Sequence, residues 1–351
     1  MKPALTKEAT TATAAPEAIR IPTGDGYTLH GQYWRHASPI ELGTAVATAP
    51  ARMPTQVPVV VINPATSVAS RYYSRFARFL QCHGMDVLTY DYRGIGLSRP
   101  ATLRGFEAGW LIWGERDFEA VLLWLQRHHP GQPVDVVGHS VGGLVTGLAP
   151  SAPCLRRICT VAAQVGYWAD YAPQQRTRMY WKWQWAMPLL TAAFGYFPGQ
   201  RLGWLEDTPK GVVHDWTQRL RRYEKSWDRG GPHHHVDAKY ALIERCTRVR
   251  APMLAIGLED DAFGTVQALE RLLHYYHQSP RTHLRVSPSA LGVAEVGHFA
   301  FFHDRFTHSL WQLALDWLQT GLLTERMAHS APYTIVSERK GSCLPGRESE
   351  G

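Results

Sequence analysis

Short runs of apolar residues recur along the first half of the chain and alternate with segments whose apolar residues fall at helical spacing. The runs at 58–62, 86–92 and 133–137 have the length and composition of strands that are buried on both faces. Helical spacing marks the segments at 73–80 and 118–125 that separate them. This alternation predicts an α/β fold with a mostly parallel sheet that is covered by helices on both faces.

The alternation pauses in the middle of the chain. It resumes with predicted strands at 156–163, 253–256 and 284–286, and a final amphipathic helix is predicted at 304–318. In between, residues 166–246 carry seven tryptophans and several proline and glycine breaks. We interpret this stretch as an inserted, mainly helical lid above the sheet.

These patterns divide the chain into a core, a lid and two terminal segments. Residues 1–17 are rich in Thr, Ala and Pro and predict a disordered leader. Residues 18–165 and 247–325 form the predicted core, and residues 166–246 form the lid. Residues 326–351 are polar and predict a loose C-terminal tail.

The composition agrees with a packed protein and argues against one kind of partner. Hydrophobic residues make up 45% of the 351 residues and charged residues 19%, which is ordinary for a globular chain. The formal net charge is +7, but Lys and Arg are scattered among Asp and Glu, and no nucleic-acid motif accompanies them. We therefore expect a small-molecule substrate and no nucleic-acid partner.

The location of the protein is predicted from its apolar segments and its cysteines. The N-terminus lacks the apolar stretch of a secretory signal, and no apolar run has the length of a membrane-spanning helix. The five cysteines show no C-x-x-C pairing, which fits a reducing compartment. We expect a cytoplasmic protein without a membrane span.

The chemistry of the chain centres on Gly138-His139-Ser140-Val141-Gly142, which has the pattern G-x-S-x-G. It lies between a predicted strand and an apolar helix start, where this pattern holds a nucleophilic serine on a sharp, strained turn. Glycines two positions to either side remove side chains that would collide with the strand or the helix. We predict Ser140 as the nucleophile and the N–H of Val141, at the helix N-terminus, as one oxyanion donor.

A serine nucleophile needs a general base, and His298 is the predicted one. In hydrolases built on this turn, the order along the chain is nucleophile, acid and then histidine. His298 follows Gly297 in a loop after a strand and precedes the last helix. This placement lets it reach over the sheet edge towards Ser140. His303 is the second candidate for the base.

The base needs an acid that orients it, and three adjacent carboxylates compete for that role. Glu259, Asp260 and Asp261 follow the predicted strand at 253–256, at the end where side chains reach a site above the sheet. We predict Asp260, with Asp261 second and Asp170 as a weaker alternative.

The second oxyanion donor is expected in Asn63-Pro64-Ala65-Thr66, the loop after the first buried run. Pro64 has no N–H, so the candidates are Ala65 and Thr66. We prefer Thr66.

At these residues the sequence resembles the α/β-hydrolase superfamily over residues 18–325. The segment 91–98 is similar to the family's D-x-R-G-x-G-x-S turn, residues 257–260 to its G-x-x-D acid turn, and Gly297-His298 to its terminal G-H. The resemblance implies the α/β-hydrolase fold with Ser140, Asp260 and His298 as its catalytic triad. We interpret Asp91 and Arg93 as structural, because Asp91 precedes the nucleophile and breaks the triad order.

Within the superfamily, the sequence resembles uncharacterised predicted α/β hydrolases near the serine aminopeptidase and monoacylglycerol-lipase-like branch. Residues 64–66 and the Gly195–Gly199 segment of the lid carry this likeness. The oxyanion loop departs from the family, because Asn63-Pro64-Ala65 stands where a His-Gly pair is usual.

The sequence contains no cofactor or metal motif. His233-His234-His235 is the one cluster that suggests a metal, but three adjacent side chains do not converge easily on one ion, so a solvated loop is favoured. No Gly-rich phosphate loop is present. We therefore expect neither a cofactor nor a metal.

The function predicted from these residues is acyl transfer to water through an acyl-enzyme, as in serine esterases and lipases. A carboxylic ester or thioester with an apolar acyl group is favoured because such groups leave easily and the lid is rich in tryptophan. The alternatives are an amidase or peptidase of the serine aminopeptidase type, and a catalytically silent scaffold that binds a ligand or partner.

Overall fold

The structure is a computed structural model that describes residues 14–36, 57–217, 243–323 and 332–341. Nine strands of the described chain form one sheet in the order β1-β2-β4-β3-β5-β6-β9-β10-β11, and β7 pairs with β8 separately. The strands are β1 Glu17–Pro22, β2 Thr28–Trp34, β3 Val59–Asn63, β4 Asp86–Tyr90, β5 Val134–His139, β6 Arg157–Val161, β7 Tyr196–Phe197, β8 Thr208–Pro209, β9 Met253–Leu258, β10 Arg281–Val286 and β11 Tyr333–Arg339.

The centre of the sheet is parallel and its margins are antiparallel. Strands β4, β3, β5, β6, β9 and β10 run in one direction. The β1–β2 hairpin joins β4 antiparallel, and β11 joins β10 antiparallel. Strands β3 and β4 are buried along their whole length, as predicted for the segments 58–62 and 86–92. The predicted, mostly parallel sheet is confirmed.

Helices lie between the strands and in the predicted lid. They are α1 Ser74–Cys82, α2 Trp110–Ile112, α3 Glu119–His128, α4 Val141–Leu148, α5 Pro173–Trp181, α6 Met187–Phe194, α7 Lys210–Thr217, α8 at 243–248, α9 Val266–Tyr275 and α10 Leu310–Thr320. The π-helical turns Trp113–Phe118 and Lys182–Ala186 connect α2 to α3 and α5 to α6 without interruption.

Alternate residues of the buried strands face two separate apolar layers. On β3, Val59 and Val61 belong to one layer, which includes residues of α3, α4 and α9. Val60 and Ile62 belong to the other, which includes residues of α1 and α10. Because side chains alternate across a strand, a run that is apolar at every position must be covered on both faces. Helices on both faces are therefore confirmed.

The lid segment, here residues 166–217, contains helices α5 to α7 and the short β7–β8 pair. Three of its tryptophans, Trp181, Trp185 and Trp204, are exposed, whereas Trp183 and Trp216 are buried. The lid residues 218–242, including His233-His234-His235, lie outside the described residues.

The predicted loose tail is wrong for the part of it that the structure describes. Tyr333–Arg339 forms β11 and pairs antiparallel with β10. The edge of β10 presents unpaired N–H and C=O groups, and a mostly exposed strand can satisfy them without an apolar core of its own. The run Tyr-Thr-Ile-Val at 333–336 is the β-favouring signal that sequence reasoning missed. At the other end, β1 begins at Glu17, inside the predicted leader.

Candidate active site

The turn between β5 and α4 has the geometry that the G-x-S-x-G pattern predicted. Strand β5 ends at His139, α4 begins at Val141, and Ser140 between them has φ 54° and ψ −121°. A Cβ on Gly142 would lie 2.2 Å from the backbone oxygen of Asn63, and one on Gly138 would lie 2.8 Å from the backbone nitrogen of Gly143. The tight strand-turn-helix is confirmed, and its glycines are required by close backbone approach.

Ser140 and His298 line one cavity of about 240 Å³ between the sheet and the lid. The walls of this cavity are mainly aromatic, from Trp110, Trp183, Trp204, Trp216, Phe263 and Phe299. No hydrogen bond joins the Ser140 hydroxyl to the His298 ring in the described structure. Such bonds are often long before a substrate is bound, so the shared cavity is the informative observation.

The imidazole of His298 is held by Asp261. The distance from His298 Nδ1 to Asp261 Oδ2 is 2.7 Å, and the other oxygen of Asp261 accepts the N–H of Phe263 at 2.8 Å. Burial acts to raise the pKa of Asp261, but His298 and the backbone N–H groups of Phe263 and Gly264 outweigh it and leave the pKa lowered. Asp261 is therefore ionised and accepts a hydrogen from Nδ1, which leaves Nε2 of neutral His298 unprotonated.

The prediction that Asp260 orients His298 is wrong. Asp260 is exposed, and its Oδ2 accepts the backbone N–H groups of Val296 at 2.7 Å and Gly297 at 2.9 Å. A turn in which the N–H of Asp261 donates to the carbonyl oxygen of Leu258 brings the carboxylate of Asp261, and not that of Asp260, under the ring. Asp260 thus anchors the loop of His298 while Asp261, the second candidate, contacts the ring.

The remaining candidates for base and acid are engaged elsewhere. His303 Nε2 lies 3.1 Å from the hydroxyl of Tyr72 on the exposed side of the site. The carboxylate of Asp170 is paired with Arg271. Glu259 is exposed. None of them contacts the His298 ring.

Two backbone N–H groups beside Ser140 are available for an oxyanion. Neither Val141 N–H, at the start of α4, nor Thr66 N–H has an acceptor among the residues that the structure describes. The N–H of Ala65 donates to the hydroxyl of Tyr73 at 2.9 Å, so it is already occupied. Thr66 also lines the cavity with Ser140. Of the two candidate donors, Ala65 and Thr66, only Thr66 has an N–H without an acceptor in the described structure.

Sequence reasoning missed the role of His139, the buried neighbour of Ser140. Its Nε2 lies 2.8 Å from the carbonyl oxygen of His298 and its Nδ1 lies 2.8 Å from the hydroxyl of Tyr73. A carbonyl can only accept, so Nε2 carries the hydrogen and Nδ1 accepts from Tyr73. Burial, with a smaller effect of His298, lowers the pKa of His139 to about 3. His139 is therefore a neutral connector between the two loops.

The turn at Asp91 supports the loop before α1, as its structural interpretation predicted. Asp91 accepts the N–H of Ser70 at 2.6 Å and that of Leu97 at 2.8 Å, and it is buried. Arg93 pairs with buried Asp117 at 2.6 Å. The Asp91 contact to Ser70 braces the loop that follows Thr66, whereas Arg93 pairs with Asp117 and Asp25 on another side of the turn.

Two further properties of the described chain bear on cofactors and membranes. Across its four described ranges, no three His, Cys, Asp or Glu side chains are grouped so that they could hold a metal ion. No helix within those ranges combines the length and the apolar character that crossing a membrane requires.

Comparison with known structures places this fold among the α/β hydrolases. A soluble variant of monoglyceride lipase from Saccharomyces cerevisiae, in complex with a substrate analogue, superposes with a TM-score of 0.61 at 15% identity, covering 92% of this chain and 100% of that chain. The esterase Pf2001 from Pyrococcus furiosus has a TM-score of 0.51 at 14% identity, covering 88% and 94%. At these identities the likeness shows the fold.

Comparison by sequence gives a family. No curated protein matches the chain. The family described as "Serine aminopeptidase, S33" matches residues 55–279, a span that includes Ser140 and Asp261 and ends before His298. This match covers well over half of the chain, and the chain therefore belongs to the serine aminopeptidase S33 family of α/β hydrolases.

Proposed function

We propose that this α/β hydrolase is a serine esterase that cleaves a carboxylic ester or thioester through an acyl-enzyme, with Ser140 as nucleophile, His298 as general base and Asp261 as the orienting acid. The observation that carries the proposal is the 2.7 Å contact between Asp261 and His298, whose ring lines the same cavity as Ser140. An oriented imidazole beside a strained serine is the arrangement that nucleophilic acyl transfer needs.

In the first half of the reaction, Ser140 Oγ attacks the carbonyl carbon of the substrate while its proton passes to His298 Nε2. Asp261 keeps the other ring nitrogen protonated and stabilises the imidazolium that forms. The N–H groups of Val141 and Thr66 donate to the oxyanion, and the positive end of the α4 dipole adds to this field. When the carbonyl reforms, the leaving group departs with the proton from His298.

In the second half, water replaces the leaving group. His298 Nε2 takes a proton from the water as it attacks the acyl carbon, and the same two N–H groups stabilise the second oxyanion. Collapse of this intermediate breaks the bond to Ser140 Oγ, which recovers its proton from His298. The products are a carboxylic acid and an alcohol or thiol, and the enzyme returns to its starting state.

The walls of the cavity support an apolar acyl group. Six aromatic side chains surround the space next to Ser140, and such surfaces favour apolar or aromatic groups. The described relatives with this fold include an esterase and a monoglyceride lipase, which agrees with an ester substrate.

The family description makes an aminopeptidase the second candidate. An aminopeptidase must hold the free ammonium group of a peptide, and carboxylates usually do so. Among the described residues that line the cavity there is no Asp or Glu, and a cation, Lys182, lies there instead. This charge distribution favours the esterase.

The proposal is tested with a fluorophosphonate probe and a panel of nitrophenyl esters and amino-acid amides. The wild type is expected to be labelled and to hydrolyse esters, and Ser140→Ala is expected to lose both. Equal labelling of the two proteins would contradict the nucleophile assignment. Absence of labelling and turnover in the wild type would favour a catalytically silent scaffold, and preference for the amides would favour the peptidase.

A further inference from the structure

Lys182 is a cation in the cavity wall that no carboxylate pairs with among the residues that the structure describes. It lies at the start of the π-helical turn between α5 and α6, and it lines the cavity together with Ser140. Its Nζ lies 3.6 Å from the ring centre of Trp204 and 4.8 Å from that of Trp183. Within the described part of the chain, Lys182 forms no ion pair with a carboxylate.

The two indole rings orient the ammonium group without cancelling its charge. A ring attracts a cation through its quadrupole, but it carries no formal negative charge. Burial, with a smaller effect of Arg178, lowers the pKa of Lys182, which indicates that the group has lost part of its hydration. A partly dehydrated cation beside a ligand cavity gains from an anion that enters that cavity.

A second lining residue, Gln164, presents an unpaired donor to the same cavity. Its Oε1 accepts the backbone N–H of Gly166, and this contact fixes which end of the amide is oxygen. The Nε2 group therefore faces the other way, and it has no acceptor among the described residues. Gln164 is 4% exposed as a residue, and it lines the cavity. The indole N–H of buried Trp183, also in the wall, has no acceptor in the described structure either.

The polar groups of the cavity are therefore donors without matching acceptors. Ser140 and His298 are used by the reaction, and Thr66 is assigned to the oxyanion. What remains is the ammonium of Lys182 and the amide nitrogen of Gln164, set among aromatic walls. A donor that has lost part of its hydration and has no protein acceptor gains from a bound ligand that supplies one.

We infer that the substrate is an ester or thioester that carries an anionic acceptor group, such as a carboxylate, on an otherwise apolar part, and that Lys182 and Gln164 bind this group. The inference rests on the proposed esterase function and narrows it to a class of substrates. The anion can belong to the acyl part or to the leaving group, because both pass through the cavity.

The test uses three nitrophenyl esters of matched chain length. One is the hemiester of a medium-chain dicarboxylic acid, which places a carboxylate on the acyl part. One is a neutral acyl ester of a carboxylated nitrophenol, which places it on the leaving group, and the third is neutral throughout. The measured quantity is the ratio of kcat/KM for each anionic ester to that for the neutral ester.

The wild type is expected to prefer one of the two anionic esters. The preferred ester shows whether the anionic group belongs to the acyl part or to the leaving group. Lys182→Gln is expected to lower that ratio roughly tenfold to a hundredfold, as loss of a hydrogen bond to a charged group does. Lys210→Gln is the matched control, because Lys210 is an exposed lysine of the lid segment that does not line the cavity. It removes the same charge and is expected to leave the ratio unchanged.

Two outcomes separate this inference from the proposed function. If the wild type hydrolyses the neutral ester at Ser140 but shows no preference that depends on Lys182, the anion site is refuted and the esterase stands. If no ester is hydrolysed and Ser140 is not labelled, the proposed function fails. Binding of a free dicarboxylate to Ser140→Ala, followed by tryptophan fluorescence, then tests the anion site without turnover, and a Lys182-independent signal would refute it.

Discussion

His139 Nε2 donates a 2.8 Å hydrogen bond to the backbone carbonyl oxygen of His298, 159 positions further along the chain. On its other side, His139 accepts a hydrogen bond from Tyr73, whose hydroxyl accepts the N–H of Ala65. One buried side chain thus connects the loop of His298 to the loop that contains the proposed oxyanion donor, Thr66. Such a buried network has a single favourable arrangement because every polar atom in it has a partner.

Replacement of Tyr73 by Phe is expected to lower kcat about tenfold to a hundredfold with little change in KM. The change leaves Ala65 N–H and His139 Nδ1 without partners, which costs about 1–3 kcal/mol per buried group and loosens both loops. Steady-state kinetics on a nitrophenyl ester measures the effect. Tyr33→Phe is the control, because its buried hydroxyl bonds to Asp86 away from the site. An equal fall of kcat in both variants would show a general loss of stability.

The two adjacent carboxylates are expected to respond differently to loss of charge. Asp261→Asn should reduce kcat by about a thousandfold to ten-thousandfold, because an amide at this place favours the wrong tautomer of His298. Asp260→Asn should cost only about tenfold, because it weakens two hydrogen bonds to the backbone of the histidine loop. Measurement of kcat for both variants at one pH decides the assignment. A larger loss at Asp260 would contradict it.

Gly142→Ala is expected to destabilise the protein by about 1–3 kcal/mol and to reduce turnover. The new Cβ would lie 2.2 Å from the backbone oxygen of Asn63, so the oxyanion loop must move away from Ser140. Thermal unfolding and kcat report the two effects. Gly24→Ala is the matched control, since a Cβ there meets nothing within 4 Å. Wild-type stability and activity in Gly142→Ala would contradict the described turn.

His139 is expected to make the protein less stable in mild acid. The unfolded chain protonates this histidine near its ordinary pKa of 6.5, whereas burial holds the folded pKa at about 3. Above pH 6.5 the histidine is neutral in both the folded and the unfolded chain, so it adds no pH dependence to the free energy of unfolding. Below that value, the free energy of unfolding falls by about 1.4 kcal/mol per pH unit until the folded pKa is reached.

This pH dependence is measured by urea unfolding of the wild type and His139→Gln at pH 7 and pH 5. Contributions from groups common to both proteins, including Asp261, cancel in the difference. The wild type is expected to lose more stability than the variant over this interval. Parallel losses in the two proteins would show that His139 is not buried in its neutral form.

The local sequence determined most of the fold and the position of the proposed nucleophile, Ser140. Strands β3, β4 and β5 follow from mostly apolar runs, because a strand that is covered on both faces is apolar at most of its positions. The turn at Ser140 follows from Gly138 and Gly142, because only glycine permits the close approach of strand, helix and loop. His298 was identified from its place after Gly297 and before the last helix. All of these signals lie within a few residues of the feature that they predict.

The tertiary structure decided which of several equivalent groups meet. Asp260 and Asp261 are chemically identical neighbours, and only the turn after β9 brings one of them under the His298 ring. Ala65 was excluded as a donor by Tyr73, and the role of His139 depends on a carbonyl far along the chain. Strand β11 exists because the edge of β10 offers partners. Hydrogen bonds over such separations depend on atoms brought together by the whole fold, so no local pattern of residues encodes them.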